Sequence, residues 1–127
     1  SNFFLNETIE KNITLNDESP SDNEKKKIEQ ILYNLNLEKF IPNISKQNIG
    51  ERGLKLSEGE RQRLALARVL FKDISILILD EATSNLDKIN ENLILDQIKK
   101  MNEDGLTLVH ISHDLDVLKN ANKHIKI

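Results

Sequence analysis

The chain contains no cysteine, only four glycines and only 4% aromatic residues among its 127 positions. Without cysteine there is neither a disulfide framework nor a thiolate metal site, which fits a cytoplasmic setting. The four glycines, Gly50, Gly53, Gly59 and Gly105, nowhere assemble into a Gly-rich phosphate loop followed by Lys-Ser/Thr. Long apolar runs are missing too. The longest, residues 74–79, has a serine inside it and falls far short of the roughly 20 residues that cross a bilayer as a helix. No basic, apolar, small-residue leader pattern opens the chain. Any membrane connection is therefore expected through a partner or another part of the protein. The net charge of −3 gives no electrostatic footprint for nucleic acid, so no nucleic-acid partner is expected.

What is present reads as globular. A hydrophobic share of 38% beside 31% charged residues is the balance of a packed domain, or of a piece of a larger one. The polar run at residues 16–22 is a surface loop. After it, Ile28, Ile31, Leu32 and Leu35 recur at helical spacing, with Asp22 or Asn23 available as the cap and Lys25, Lys26 and Lys27 on a solvated face. Pro42 is expected to end any helical continuation through Phe40. A second helix starts at Ser57, where Ser57-Glu58-Gly59-Glu60 has capping-box form, and stops near Asp73. Residues 74–79 suit a strand buried on both faces, as in a parallel sheet. A third helix from about residue 87 turns Ile89, Leu93, Ile94, Ile98 and Met101 inward and stops at Gly105. Residues 106–112 read as a second buried strand, 114–120 as a short helix and 124–127 as a last strand. The order is that of a parallel α/β sheet preceded by a helical half.

Three features carry chemistry. The run Ile76-Leu77-Ile78-Leu79 ends in Asp80-Glu81. Adjacent carboxylates at the end of a buried strand need compensation, and the carboxyl ends of parallel strands are where ligands bind. Asp80 is placed to hold Mg²⁺, and Glu81 to orient and deprotonate an attacking water. A strand leaving the core into an acidic loop gives the same pattern. Second, the start of the Ser57 helix offers free backbone N–H groups and a positive dipole end. Gly59 admits a phosphate to the backbone there, while Ser57 caps the helix and keeps a proton to donate. Any capped amphipathic helix shares these properties. Third, His113 follows the strand at 106–112, on the rim that carries Asp80 and Glu81. His110 and His124, inside strands, read as core or loop histidines.

Together these features resemble the ATP-binding-cassette ATPases. Leu56-Ser57-Glu58-Gly59-Glu60 resembles their signature motif, and Asp80-Glu81 the Walker B end with its catalytic glutamate. Ser84-Asn85-Leu86-Asp87 is similar to the D-loop and Ile111-Ser112-His113-Asp114 to the switch histidine. Spacing agrees, with Asp87 seven residues and His113 33 residues past Asp80. Residues 3–13, with Thr8-Ile9 and Asn12-Ile13, resemble the stretch after the Q-loop in exporters, near the coupling helices of the membrane domain. Gly50-Glu51-Arg52-Gly53 resembles the segment before an exporter signature.

The resemblance implies an α/β fold in two parts. Residues 1–72 would be the helical signature subdomain, and 73–127 the C-terminal half of a RecA-like P-loop ATPase core. It further implies ATP and Mg²⁺ as cofactors, a second nucleotide-binding domain joined head to tail, and a transmembrane partner at the cytoplasmic face of a membrane. Glu81 and His113 would be catalytic and Asp80 the metal ligand. Ser57, Glu58, Gly59, Glu60 and Asp87 would serve the nucleotide across the dimer. Two other readings share parts of this pattern: the cassette head of a DNA-repair or chromosome-organising protein, and a binding module without catalysis. The compact signature region and residues 3–13 argue against the first, Glu81 and His113 against the second. The sequence departs from the family at Glu58, where glycine is usual, and at Glu60, where glutamine is common. Two such carboxylates would repel a phosphate unless they point away or pair, for example with Arg61 or Arg63, and they are expected to point away. Residues 41–48 are shorter than usual. With no phosphate loop, the chain is expected to be part of a longer protein, inactive and self-associating in isolation.

Overall fold

The computed structural model describes residues 4–80, 88–112 and 123. Chain order within them is α1 (Ile9–Thr14), α2 (Asp22–Asn34), a 3₁₀ turn (Glu38–Asn43), a second one (Glu51–Gly53), α3 (Glu58–Lys72), β1 (Ile76–Asp80), α4 (Lys88–Glu103) and β2 (Thr107–Ile111). The expected helix at 114–120 and strand at 124–127 lie outside the described residues.

The first half is a helical cluster. α2 buries Ile28, Ile31 and Leu32, and α3 buries Leu64, Leu66 and Ala67. α3 packs against both α1 and α2. Completely enclosed side chains such as Ile13, Leu32 and Leu64 each contribute roughly 1.5–3 kcal/mol by leaving water. The cap of α2 is Ser21, one residue before the expected candidates. Ser21 Oγ accepts from Glu24 N–H at 3.2 Å, and the Glu24 carboxylate accepts from Ser21 N–H at 3.0 Å. That reciprocal box satisfies two donors at once, which neither Asp22 nor Asn23 offers. Lys25 and Lys26 are exposed as expected. Lys27 is exposed too, but its ammonium donates to the Phe71 carbonyl at 3.0 Å, in the last turn of α3. Pro42 does not end the helical stretch after Phe40; it lies inside the first 3₁₀ turn. A short 3₁₀ piece tolerates it because the neighbouring donors, such as Ile44 N–H to the Ile41 carbonyl at 3.3 Å, close the turn without the proline nitrogen.

The second half is a β1–α4–β2 unit with parallel strands in the register Ile76↔Thr107 to Asp80↔Ile111. α4 buries Ile94 and Ile98. Ile89, expected inward, is 79% exposed, because nine residues are two and a half turns and set it opposite Ile98. Gly105 stops the helix as expected. At φ +105° it lets Gly105 N–H reach the Asn102 carbonyl at 3.1 Å and Leu106 N–H reach the Met101 carbonyl at 3.0 Å, a Schellman ending. The strands are not buried on both faces. Leu77 is enclosed, whereas Ile76, Ile78, Val109 and Ile111 are 60%, 63%, 44% and 51% exposed. Among the described residues the sheet has two strands, and the period of two sends alternate side chains to a face that stays open.

Candidate functional site

The best-defined chemistry is at the start of α3. Ser57, in extended conformation, caps the helix: its Oγ accepts from Glu60 N–H at 3.1 Å, while a Glu60 carboxylate oxygen accepts from Ser57 N–H at 2.9 Å. The capping box read from sequence is present. Arg61 N–H, one residue on, donates to the Ser57 carbonyl at 2.9 Å. The N–H groups of Glu58 and Gly59, the first two helical positions, lie where no acceptor exists inside a helix. They form the anion-receptive end together with the Ser57 hydroxyl.

Both unusual carboxylates are paired. Glu58 meets Arg61 at 2.9 Å, a pairing rather than the plain turning away that was expected. Glu60 meets Lys39, from the first 3₁₀ turn, at 2.6 Å. Arg63 pairs with neither. Its Nε donates to the Gly59 carbonyl at 3.2 Å and its Nη1 to the carbonyls of Leu35 and Asn36 at 3.0 and 3.1 Å, stapling the end of α2 to α3. Burial pushes the Glu60 carboxyl up, but the hydrogen bonds from Lys39 and Ser57 outweigh it and hold the group below its ordinary range.

The two exporter-like segments meet beside this helix. Thr8 and Asn48 form an antiparallel bridge, and Ile49 N–H donates to the Glu7 carbonyl at 3.0 Å. Gly53, at φ +70°, lies against Phe4 so closely that a Cβ there would stand 3.3 Å from its ring. Behind them is an arrangement that sequence reasoning missed. Asn12 is wholly buried; its Oδ1 accepts from Leu5 N–H at 2.8 Å and from Arg68 Nη2 at 2.9 Å. Its amide group donates to the carbonyls of Leu5 at 3.1 Å and Thr8 at 2.9 Å. The Arg68 guanidinium lies 4.6 Å from the Phe4 ring centroid, and burial lowers its pKa. The available signal was a lone cation inside the apolar run 64–71 of α3.

At the other end, the parallel register sets the backbone of Asp80 level with Ile111, two residues before His113. The carboxyl ends of β1 and β2 therefore share one rim. Glu81, Asp87 and His113, and the side chain of Asp80, lie outside what is described. Among the described residues no group of three or more His, Cys, Asp or Glu could hold a metal. A lone carboxylate at a strand end supplies an oxygen donor of the type Mg²⁺ takes, with most of its shell left to water and phosphate.

Comparison with known proteins agrees with this organisation. A family model described as ABC transporter matches residues 1–84. The heterocyst differentiation ATP-binding protein HepA of Nostoc sp. is 38% identical over 95% of this chain and 20% of its own length. An ATP-dependent lipid A-core flippase of Cupriavidus pinatubonensis is 37% identical over 94% of the chain and 21% of its own length. The structure of a bacterial Atm1-family ABC exporter with ATP bound superposes with a TM-score of 0.77 at 34% identity, over 94% of this chain and 21% of that one. The chain thus spans about a fifth of the length of the relatives it matches.

Proposed function

The chain belongs to the ABC transporter family, and on that premise we propose that it is the signature-bearing and Walker B-bearing part of an exporter's ATP-hydrolysing domain. In this reading residues 1–72 form the signature subdomain and residues 73–127 the back half of the nucleotide-binding core. The whole protein works at the cytoplasmic face of a membrane, joined to a transmembrane domain. Two such domains meet head to tail, and the start of α3 faces the ATP held by the opposite phosphate loop. The Ser57 hydroxyl and the N–H groups of Glu58 and Gly59 donate to that nucleotide's phosphate oxygens. Glu60 holds Ser57 in place. Glu81 takes the proton of the attacking water, His113 donates to the γ-phosphate, and Asp87 links the two sites. Asp80 would hold Mg²⁺, which when bound offsets charge on the phosphates.

The observation that carries this reading is the capped start of α3, within the family match, with its carboxylates paired and its first N–H groups available. In the full-length protein, Ser57→Arg is expected to block ATP-dependent dimerisation of the two domains by filling the anion end with a bulky side chain. Dimerisation equal to the parent's would show that residues 56–60 are not the signature.

A further inference from the structure

We infer that Lys39 is a positioning residue for the nucleotide at the start of α3, holding the Glu60 carboxylate in a neutral pair so that the helix end stays receptive to phosphate. The inference rests on the reading of that helix given above.

The first turn of α3 carries two carboxylates, Glu58 and Glu60. Acids suit a helix start, because they interact favourably with its free N–H groups and dipole. For the same reason they compete with a phosphate for that position, and two uncompensated anions would repel it. Each therefore needs a cation. Glu58 takes Arg61 from the next turn, a local solution open to any helix. Glu60 cannot be served in this way, since Arg63 is committed to the carbonyls of Gly59, Leu35 and Asn36. Its cation comes from outside the helix. Lys39 bonds one carboxylate oxygen at 2.6 Å while the other oxygen accepts from Ser57 N–H at 2.9 Å. The Glu60 side chain is only 12% exposed, an environment in which an unpaired charge is costly.

Lys39 itself is 67% exposed on its side chain, so the core does not depend on it. Its place is set by the next residue, the buried Phe40, and its ammonium stands 5.0 Å from that ring's centroid. A pair so open on one side adds little to stability. Its effect is on the field at the helix end, where the Glu60 carboxylate that accepts from Ser57 N–H would otherwise stand as an uncompensated negative charge.

The test is a double-mutant cycle in the full-length protein that carries this chain, reading KM for Mg-ATP in steady-state turnover. A unit charge within about 10 Å of a polyphosphate at low salt is expected to move KM about three- to tenfold. Lys39→Met is expected to raise KM by that factor, Glu60→Gln to lower it, and the double variant to return within about twofold of the parent. All three differences should shrink as salt rises to about 0.5 M. A parent-like KM in Lys39→Met, or a double variant as impaired as Lys39→Met alone, would overturn the inference, because a packing contact is not rescued by neutralising its partner. Ser57→Arg, measured alongside, separates the two levels. If it leaves ATP-driven dimerisation intact, the helix reading falls and the inference with it. If it blocks dimerisation while the cycle is flat, the inference alone falls.

Discussion

Arg68 donates from Nε to the main-chain carbonyl of Asn12 at 2.6 Å and from Nη2 to its side-chain oxygen at 2.9 Å, across 56 residues of sequence. These bonds tie α1 to α3. They also explain how an asparagine and an arginine are held among apolar neighbours, since nearly all the polar atoms involved are engaged.

Replacing Asn12 by alanine would take the side-chain acceptor away from Leu5 N–H and from Arg68 Nη2, while the Leu5 and Thr8 carbonyls keep the N–H groups of Glu7 and of residue 12. Unmet buried groups cost about 1–3 kcal/mol each, so Asn12→Ala is expected to destabilise by about 2–4 kcal/mol. Thermal unfolding at a fixed protein concentration measures this. A loss under about 0.5 kcal/mol would mean that water replaces the amide without penalty.

Glu60 gives a pH dependence of fixed sign. Its folded-state pKa is held below the ordinary value, so its contribution is complete above roughly pH 4.5 and disappears as pH falls through the lower folded value. Comparing the thermal midpoints of the parent and Glu60→Gln should show the parent ahead at pH 7 and the gap closed near pH 3. A gap that is constant across that range would contradict the Lys39–Glu60 pairing.

The isolated chain is expected to self-associate. Ile76, Ile78, Val109 and Ile111 form an open apolar sheet face, and unpaired edges of parallel strands invite another chain. Light scattering after size exclusion should give a mass above 14.6 kDa, reduced by placing aspartate at Ile78. A monodisperse monomer with cooperative unfolding would show that this half-sheet closes on itself.

Sequence revealed the local features and missed those set by distant parts of the chain. The Ser57 box and the Gly105 stop depend on residues within a few positions of each other, so both were legible. The Ser21 cap was equally local and was misplaced by one residue because two further capping residues, Asp22 and Asn23, follow it. Lys39 as the partner of Glu60 depends on how the 3₁₀ turn folds back onto α3, and the Asn12–Arg68 link on how α1 crosses it; no short-range pattern encodes either. The exposed face of β1 and β2 was misjudged because an aliphatic run reports the environment of a complete sheet, whereas the described residues supply two strands of one. The assignments of Glu81, Asp87 and His113 rest on motif spacing, because these residues lie outside the described ones.

A chain without a phosphate loop supplies little of the positioning on which phosphoryl transfer depends. ATP turnover by the purified 127-residue chain is therefore expected at background. Mg-dependent turnover that Glu81→Gln abolishes in this chain alone would contradict that expectation.

The most direct test of the central claim is Glu81→Gln in the full-length protein, with ATP binding and turnover measured on the same preparation. The amide keeps the shape of the carboxylate and removes the base. ATP binding is expected to persist while turnover falls by about 10²–10⁴. Turnover close to the parent's would contradict the assignment of Glu81 as the base and, with it, the reading of residues 76–81 as the Walker B strand and catalytic glutamate.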